Sequence, residues 1–328
     1  MSLLQIFDPR GKKLTDISAT LSREWALSKS TRSEFRIATK DPKCRKDFIK
    51  PGNIVVVEHE SLPAWGGFMY PPFEWQKDIL EVTVLSMEEI LRYRRGPSTL
   101  DAEGVGGAIF TQLLDLANQQ GDTLIRAGNI YMGDLPIVEP LNLTDIFGAI
   151  TSLCRKTGGE WSVRPEKQDG QLVFYADYFQ RAGEDKRNIV LRAGHNIKGE
   201  KLIQSTPLLN DITVFSSGAT WDSKGSANAT DENSIAAYGL FQGIEAVNDS
   251  SDAAALSILA NQYPARATFE VLKNAWQNVR LGDVFTVRLH NAGFSGQGIG
   301  WEGTHRVMVM KYNESDKTLE VGSEETNG

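Results

Sequence analysis

Four histidines, two cysteines and a scatter of carboxylates are the side chains on which this chain could build chemistry. His59, His195, His290 and His305 stand in unrelated segments, with no i, i+4 pair and no cysteine companion, so the ligand spacing of a zinc site is missing. Cys44 and Cys154 lie far apart in differently patterned stretches and read as idle or buried thiols, with neither a disulfide framework nor a nucleophile context around them. No Gly-X-Ser-X-Gly elbow occurs. Gly104-Val105-Gly106-Gly107 precedes a helical pattern, but no Lys-Ser/Thr follows it and no strand of a βαβ unit feeds it. It therefore reads as a flexible start to a helix rather than a phosphate loop. Glu302 beside Trp301 is the most conspicuous single acid. Glycoside hydrolysis needs a second carboxylate converging on the first, and an acid without a motif is ordinarily a solvated carboxylate at a strand edge. No catalytic residue, cofactor or metal is expected.

The elements that would have to position such groups are strands, and they come twice. Lys50-Pro51-Gly52-Asn53 turns into Ile54-Val55-Val56-Val57, followed by Trp65-Gly66-Gly67-Phe68-Met69 and the alternating run Ile79 to Val84. Leu281-Gly282-Asp283 turns into Val284-Phe285-Thr286-Val287, followed by Trp301-Glu302-Gly303, Val307-Met308-Val309 and Thr318 to Val321. Upstream, Ser33 to Ile37 precedes the first set and Thr268 to Val271 the second. Alternating strands joined by Gly and Asn/Asp turns make antiparallel β-structure. Two such sets in one order predict two small barrels related by duplication, with Gly52 over Gly282, Trp65 over Trp301 and Val82 over Val321.

Between them the period changes. Ile109, Leu113 and Leu116, flanked by Phe110, Leu114 and Ala117, mark a helix that stops at Gly121. A second helix begins behind Asn142 or Thr144, carries Ile146, Phe147, Ile150, Leu153 and Cys154, and ends at Gly158-Gly159. A hairpin turns at Gln168-Asp169-Gly170, between Trp161-Ser162-Val163 and Leu172 to Tyr175. Arg181 to Arg187 reads as an exit loop, and Arg92, Arg94 and Arg95 as a short basic cluster at a domain edge, either solvated or in contact with an acidic neighbour. Later come a strand at Asp211 to Phe215 and a helix behind Asn248 to Asp252, with Leu256, Leu259, Ala260 and Tyr263, stopped by Pro264. Two stretches, 218–233 and 291–300, are too rich in Gly, Ser, Ala and Asn for hairpin turns. They read as exposed contact loops in which Trp221, Asn291 and Phe294 would order against a partner.

The fold class that follows is mainly β with an α+β insertion: two duplicated antiparallel β-barrel domains, 1–97 and 189–328, flanking a small helix–helix–hairpin domain at 98–188. Hydrophobic residues make up 41% and charged residues 23% of the chain, an ordinary globular balance. A net charge of −7 and a pI near 5.3 argue against a nucleic-acid-binding surface, while leaving room for DNA to pass through a channel that repels it. The N-terminus has no basic region ahead of an apolar run, and no stretch approaches the roughly 18 apolar residues of a membrane span, so cytosol-like conditions are expected.

This order of segments resembles the tail hub proteins of tailed phages. That family includes myophage baseplate hubs, late-control D proteins, the N-terminal hub region of siphophage tail-associated proteins and the base of the type VI secretion spike. The likeness is carried by the Lys50-Pro51-Gly52 turn with its strand and Trp65-Gly66-Gly67, and by the helix–helix–hairpin run from Ile109 to Tyr175. Gly194-His195-Asn196-Ile197, the strand at Asp211 and the helix ahead of Phe269 extend it over nearly the whole chain. The resemblance implies two related barrels with an α/β insertion, and a homotrimer whose six barrels ring a channel. Its implied partners are the tail tube or distal tail protein and a spike or tip protein. Tape-measure protein and DNA would pass through the lumen without specific binding, in a virion tail assembled in the host cytoplasm. Many siphophage members continue into a peptidase or lysozyme-like domain. The chain stops at Gly328, so no attached enzyme is expected. Two readings from other classes remain: a cell-wall-degrading tail enzyme using Glu302, and a carbohydrate-binding tail adhesin using Trp221.

Overall fold

The computed structural model describes residues 2–96, 104–133, 136–137, 145–168, 170–203, 209–216, 226–247, 255, 266–289 and 301–326. Six strands open the chain: β1 (Ser2–Phe7), β2 (Lys13–Ala26), β3 (Arg32–Ala38), β4 (Ile54–Val57), β5 (Trp65–Gln76) and β6 (Ile79–Ser86). They close into a barrel in the order β1-β4-β5-β6-β3-β2 and back to β1, antiparallel at every joint. Alternation sets the interior: Phe35 and Ile37 from β3 meet Leu80, Val82 and Val84 from β6, all essentially without solvent. The unbroken apolar run of β4 has a different cause. Val55 and Val57 face the barrel interior, while Ile54 and Val56 join a second core outside it, so this strand is buried on both faces.

That second core belongs to the middle of the chain: β7 (Gly104–Val105), α1 (Gly106–Gln119), β8 (Ile125–Ile130), β9 (Pro136–Ile137), α2 (Ile146–Thr157), β10 (Glu160–Gln168) and β11 (Gln171–Phe179). β7 pairs with β9, and β10 and β11 form the expected hairpin. β8, which the sequence reading passed over, lies parallel to β11 and completes a three-stranded sheet. Trp161 is the largest fully buried side chain among the described residues. Its indole is met edge-on by Phe110 of α1 at 6.0 Å and by Phe147 of α2 at 5.6 Å. The cap of α2 is Asp145, whose carboxylate accepts from the Gly148 N–H at 2.7 Å, while the expected caps Asn142 and Thr144 lie outside the described residues. Gly158 ends the helix at φ +67°.

The remaining strands are β12 (Asp185–Arg192), β13 (Ile197–Ile203), β14 (Asp211–Ser216), β15 (Ser226–Thr230), then α3 (Glu232–Tyr238), β16 (Gln242–Val247), β17 (Arg266–Val271), β18 (Val284–Leu289), β19 (Trp301–Asn313) and β20 (Thr318–Glu325). β12 begins at Asp185, inside the stretch read as an exit loop. Six of them run in the order β12-β18-β19-β20-β17-β13. Matched strand by strand in chain order, this is the order of the first barrel. Two features differ: β12 is parallel to β18 where β1 is antiparallel to β4, and β12 meets β13 only through an isolated bridge between Ala193 and Ile197.

The turns into β4 and β18 repeat atom for atom. Gly52 at φ +86° donates to the Met69 carbonyl at 2.9 Å, and Gly282 at φ +82° donates to that of Val307 at 2.8 Å. Met69 N–H returns to Asn53, and Val307 N–H to Asp283. This register corrects one expected equivalence. Val57 pairs with Trp65, and its counterpart Val287 pairs with Gly303, so Trp301 stands two residues beyond the position of Trp65.

The chain divides into two compact units, Met1–Glu200 with Thr268–Ser323, and Lys201–Ala267 with Glu324–Gly328. The smaller holds the sheet β15-β14-β16 with α3, over Ile212, Val214, Ala229 and Ala255. Part of the supposed loop 218–233 is therefore structured. Ala229 is small enough to pack opposite Ile212, and Asp231 caps α3 by accepting from Ser234 N–H. Of the helix expected over 248–263, only Ala255 is among the described residues, helical and buried.

Candidate functional site

Along β2 the inward positions Ile17, Ala19 and Leu21 are followed, at the same two-residue step, by Arg23 and Trp25. An arginine on a core-facing step must find a partner, and the one it finds comes from β19. Val309 faces Ala26, Met310 faces Trp25, Lys311 faces Glu24, Tyr312 faces Arg23 and Asn313 faces Ser22, in an antiparallel ladder joining the two sets of strands. The buried Arg23 guanidinium lies 4.7 Å from the Tyr312 ring and 5.9 Å from that of Trp25, and 3.4 Å from Glu314 Oε2. Burial lowers its pKa, opposed by the charge of Glu314. His59 packs against the same group, 5.5 Å from Tyr312 and 5.9 Å from Trp276, and burial lowers its pKa as well.

A second polar junction ties β19 to the middle of the chain. Arg306 meets Glu160 at the start of β10 and donates to the carbonyls of Gly282 and Ala182 at 3.1 and 2.8 Å. Asp283, beside it, accepts from the N–H of Glu184 and of Arg280 and from Lys186 Nζ at 2.8 Å. A cavity of about 220 Å³ lies among Glu24, Trp25, Lys29, Trp65, Glu88 and Arg164. Burial pushes the Glu88 carboxyl up to about 7, against hydrogen bonds from the Ser86 hydroxyl and the Glu88 and Val163 backbone that favour its charge.

The candidates singled out for chemistry do not converge. Glu302 pairs with Arg288 at 2.6 Å on the surface, which holds its carboxyl below the usual range. His305 is in the second set's interior, hydrogen-bonded to Ser323 at 3.0 Å, and His195 is exposed. Cys44 is half-buried and Cys154 buried, both free, with burial pushing the Cys154 thiol up to about 12. Gly107 is required for close packing rather than flexibility, since a Cβ there would lie 2.5 Å from the Tyr131 carbonyl oxygen. The basic cluster is structural: Arg92 stacks 3.9 Å from the Phe147 ring, and the Arg95 backbone exchanges hydrogen bonds with the Gln120 side chain. Trp221, Asn291, Phe294 and His290 lie outside the described residues. Among the described residues no group of His, Cys, Asp and Glu could hold a metal, and no helix is long and apolar enough to cross a membrane.

The residues that organise the molecule are thus those of a strand-to-strand joint. Arg23 and Glu314 were missed in the sequence, although a charged residue on the inward step of an apolar strand was a readable signal.

No family model matches the chain, and no curated protein matches it in sequence. Solved structures do. Prophage tail protein gp18 from Listeria monocytogenes EGD-e aligns over 99% of this chain and 95% of its own, with 11% identity and a TM-score of 0.60. The 43 kDa tail protein of prophage MuSo2 from Shewanella oneidensis aligns over 98% and 97%, with 14% identity and a TM-score of 0.62. The E. coli c3393 protein, a type VI secretion component with structural similarity to the T4 bacteriophage tail proteins gp27 and gp5, aligns over 99% and 77%, with 11% identity and a TM-score of 0.55. At these identities the likeness is one of fold, and the fold is that of phage tail and type VI hub-like proteins, as the family resemblance implied.

Proposed function

We propose that this chain is a structural hub of a phage tail tip or baseplate, or of a related contractile injection device. In this reading it acts as a homotrimer, and its two barrel-like strand sets, taken three times, make a pseudo-six-fold ring. The observation that carries the reading is the repeated strand order, β1-β4-β5-β6-β3-β2 and β12-β18-β19-β20-β17-β13, within one chain. Duplication of a barrel is what matching a three-fold tip to a six-fold tube requires, because a closed ring needs equivalent contact surfaces. The domains then fall at 1–97, 98–188 and 189–328, with the middle domain carried on the outside of β4 through Ile54 and Val56.

The ring joins the tail tube, or a distal tail protein, to a spike or tip protein, and sits in the virion after assembly in the host cytoplasm. Its work is mechanical, and no residue performs catalysis. The net charge of −7 suits a lumen through which DNA and tape-measure protein slide without being held. A ring that survives ejection buries an obligate-type interface, on the order of 2,000 Å² or more. The stoichiometry tests it: native mass spectrometry of the chain and of assembled tail tips is expected to give three copies. A dimer, tetramer or hexamer in the assembled tip would overturn the reading.

A further inference from the structure

In the shared strand order β19 occupies the place of β5, and β13 the place of β2. The β2–β19 joint therefore has a second, equivalent pair of strands, β13 and β5, and within one chain these two do not meet. Both keep an open edge among the described residues. β4 covers β5 only from Trp65 to Phe68, and β13 pairs with β17 on one side, with nothing beyond the bridge at Ile197 on the other.

We propose that β5 of one copy lays its open edge along β13 of a second copy, so that the joint made once inside the chain is repeated between chains. This rests on the ring reading above and names its seam.

The chemistry of the two edges fits. Beyond Met69 β5 stays paired with β6, yet every residue from Tyr70 to Gln76 is exposed except the half-buried Phe73. Trp75 is 66% exposed, although it pairs with the buried Leu80. An open strand edge with an exposed tryptophan is what an interface leaves uncovered in one copy. Glu74 faces Glu81 directly across the ladder, and Glu81 is already paired with Arg36 at 2.6 Å. Like charges opposite one another are unfavourable, and Glu74 has no ion-pair partner among the described residues. A base from outside would relieve it.

The internal joint shows which residues would meet. There the inward face of β2, with Arg23 and Trp25, continues onto Tyr312 and Met310 of β19. On β13 the inward step is set by the buried Ile197 and shared by the exposed Lys201 and Ile203. The equivalent face of β5 carries Glu74 and Gln76, so Lys201 comes opposite Glu74, and in the same antiparallel sense Leu202 comes opposite Phe73 and Glu200 opposite Trp75 on the other face. The internal joint likewise sets opposite charges across the two strands, Lys311 of β19 facing Glu24 of β2. Pro71 and Pro72 lack N–H donors, so a ladder along β5 starts only at Phe73, and two hairpins paired over the short remaining stretch would bring their Glu74 carboxylates close together. Self-pairing of β5 is therefore disfavoured and β13 preferred.

The test uses full chains carrying Trp75→Cys and others carrying Glu200→Cys, which the antiparallel seam sets opposite each other, mixed, assembled and treated with a short thiol cross-linker. A covalent dimer in the mixture, absent from either variant alone, is expected. Independently, Glu74→Lys is expected to weaken assembly on the order of tenfold, and Lys201→Glu in the same chain to restore it. A three-copy ring without the mixed cross-link, with both thiols shown to be reactive, would overturn the seam while leaving the ring reading standing. Absence of a three-copy ring in assembled tips would overturn both.

Discussion

Arg306 and Glu160, 146 residues apart in sequence, meet as a two-pronged ion pair, Nη1 to Oε1 and Nη2 to Oε2 each at 2.5 Å. The arginine is buried, and Glu160 also accepts from Ala182 N–H at 2.8 Å. The pair fixes the start of β10 against the Gly282 turn and the crossing at Ala182. Removing one partner leaves the other charge uncompensated, so Glu160→Ala or Arg306→Ala is expected to cost about 3–5 kcal/mol. The double variant Arg306→Met with Glu160→Leu should lose less than either single change. Urea unfolding midpoints measure this, and a double variant as damaged as the sum of the two singles would contradict it.

The equivalent turns at Gly52 and Gly282 differ in their surroundings. A Cβ on Gly52 would have only Pro9 Cγ at 3.7 Å, whereas one on Gly282 would stand 2.4 Å from the Ala182 carbonyl oxygen. Gly52→Ala should cost about 1–2 kcal/mol, the left-handed backbone penalty alone. Gly282→Ala must also displace Ala182, which holds Arg306, and should be several-fold more damaging. Thermal unfolding of the two variants side by side decides it, and equal losses would count against the reading.

Burial pushes His305 down to about 4 from its ordinary 6.5, favouring the neutral ring in the folded state. Its contribution is therefore complete above pH 6.5 and is lost as pH falls through that value toward 4, a difference of roughly 3 kcal/mol. His305→Gln should flatten this part of the pH profile of stability. Glu88 works the other way. With its folded pKa raised to about 7 from 4.5, stability from this group is present below 4.5 and lost as pH rises through 7. Glu88→Gln should therefore steepen the net acid loss seen in the native chain. Melting temperatures across that range, for both variants, give the two slopes separately.

Glu302 is spent on a surface ion pair with Arg288. Glu302→Gln should leave the melting temperature essentially unchanged, since exposed pairs contribute little. The native protein should not clear a suspension of bacterial cell wall. Clearing that Glu302→Gln abolishes would replace the structural reading with an enzymatic one.

The sequence by itself determined the local elements and the faces they bury. Period-two alternation marked Phe35 with Ile37 and Leu80 with Val84 as inward residues, the stripe from Ile109 to Ala117 drew α1, and the glycines at 52 and 282 marked two turns at positive φ. These are properties of a few neighbouring residues. What only the tertiary structure decided is everything that depends on register between distant strands. A strand that slips by two keeps the same face inward, so the pattern could not distinguish Trp301 from Gly303 as the counterpart of Trp65. Barrel closure through β1 and β2, the pairing of β2 with β19, and the burial of Arg23 against Tyr312 and Glu314 follow from pairings that local propensity does not reach. The small sheet around β14 was hidden for another reason: Ser and Asn favour turns and Ala is depleted in strands, and only the pairing of Ile212 with Ala229 makes a strand of them.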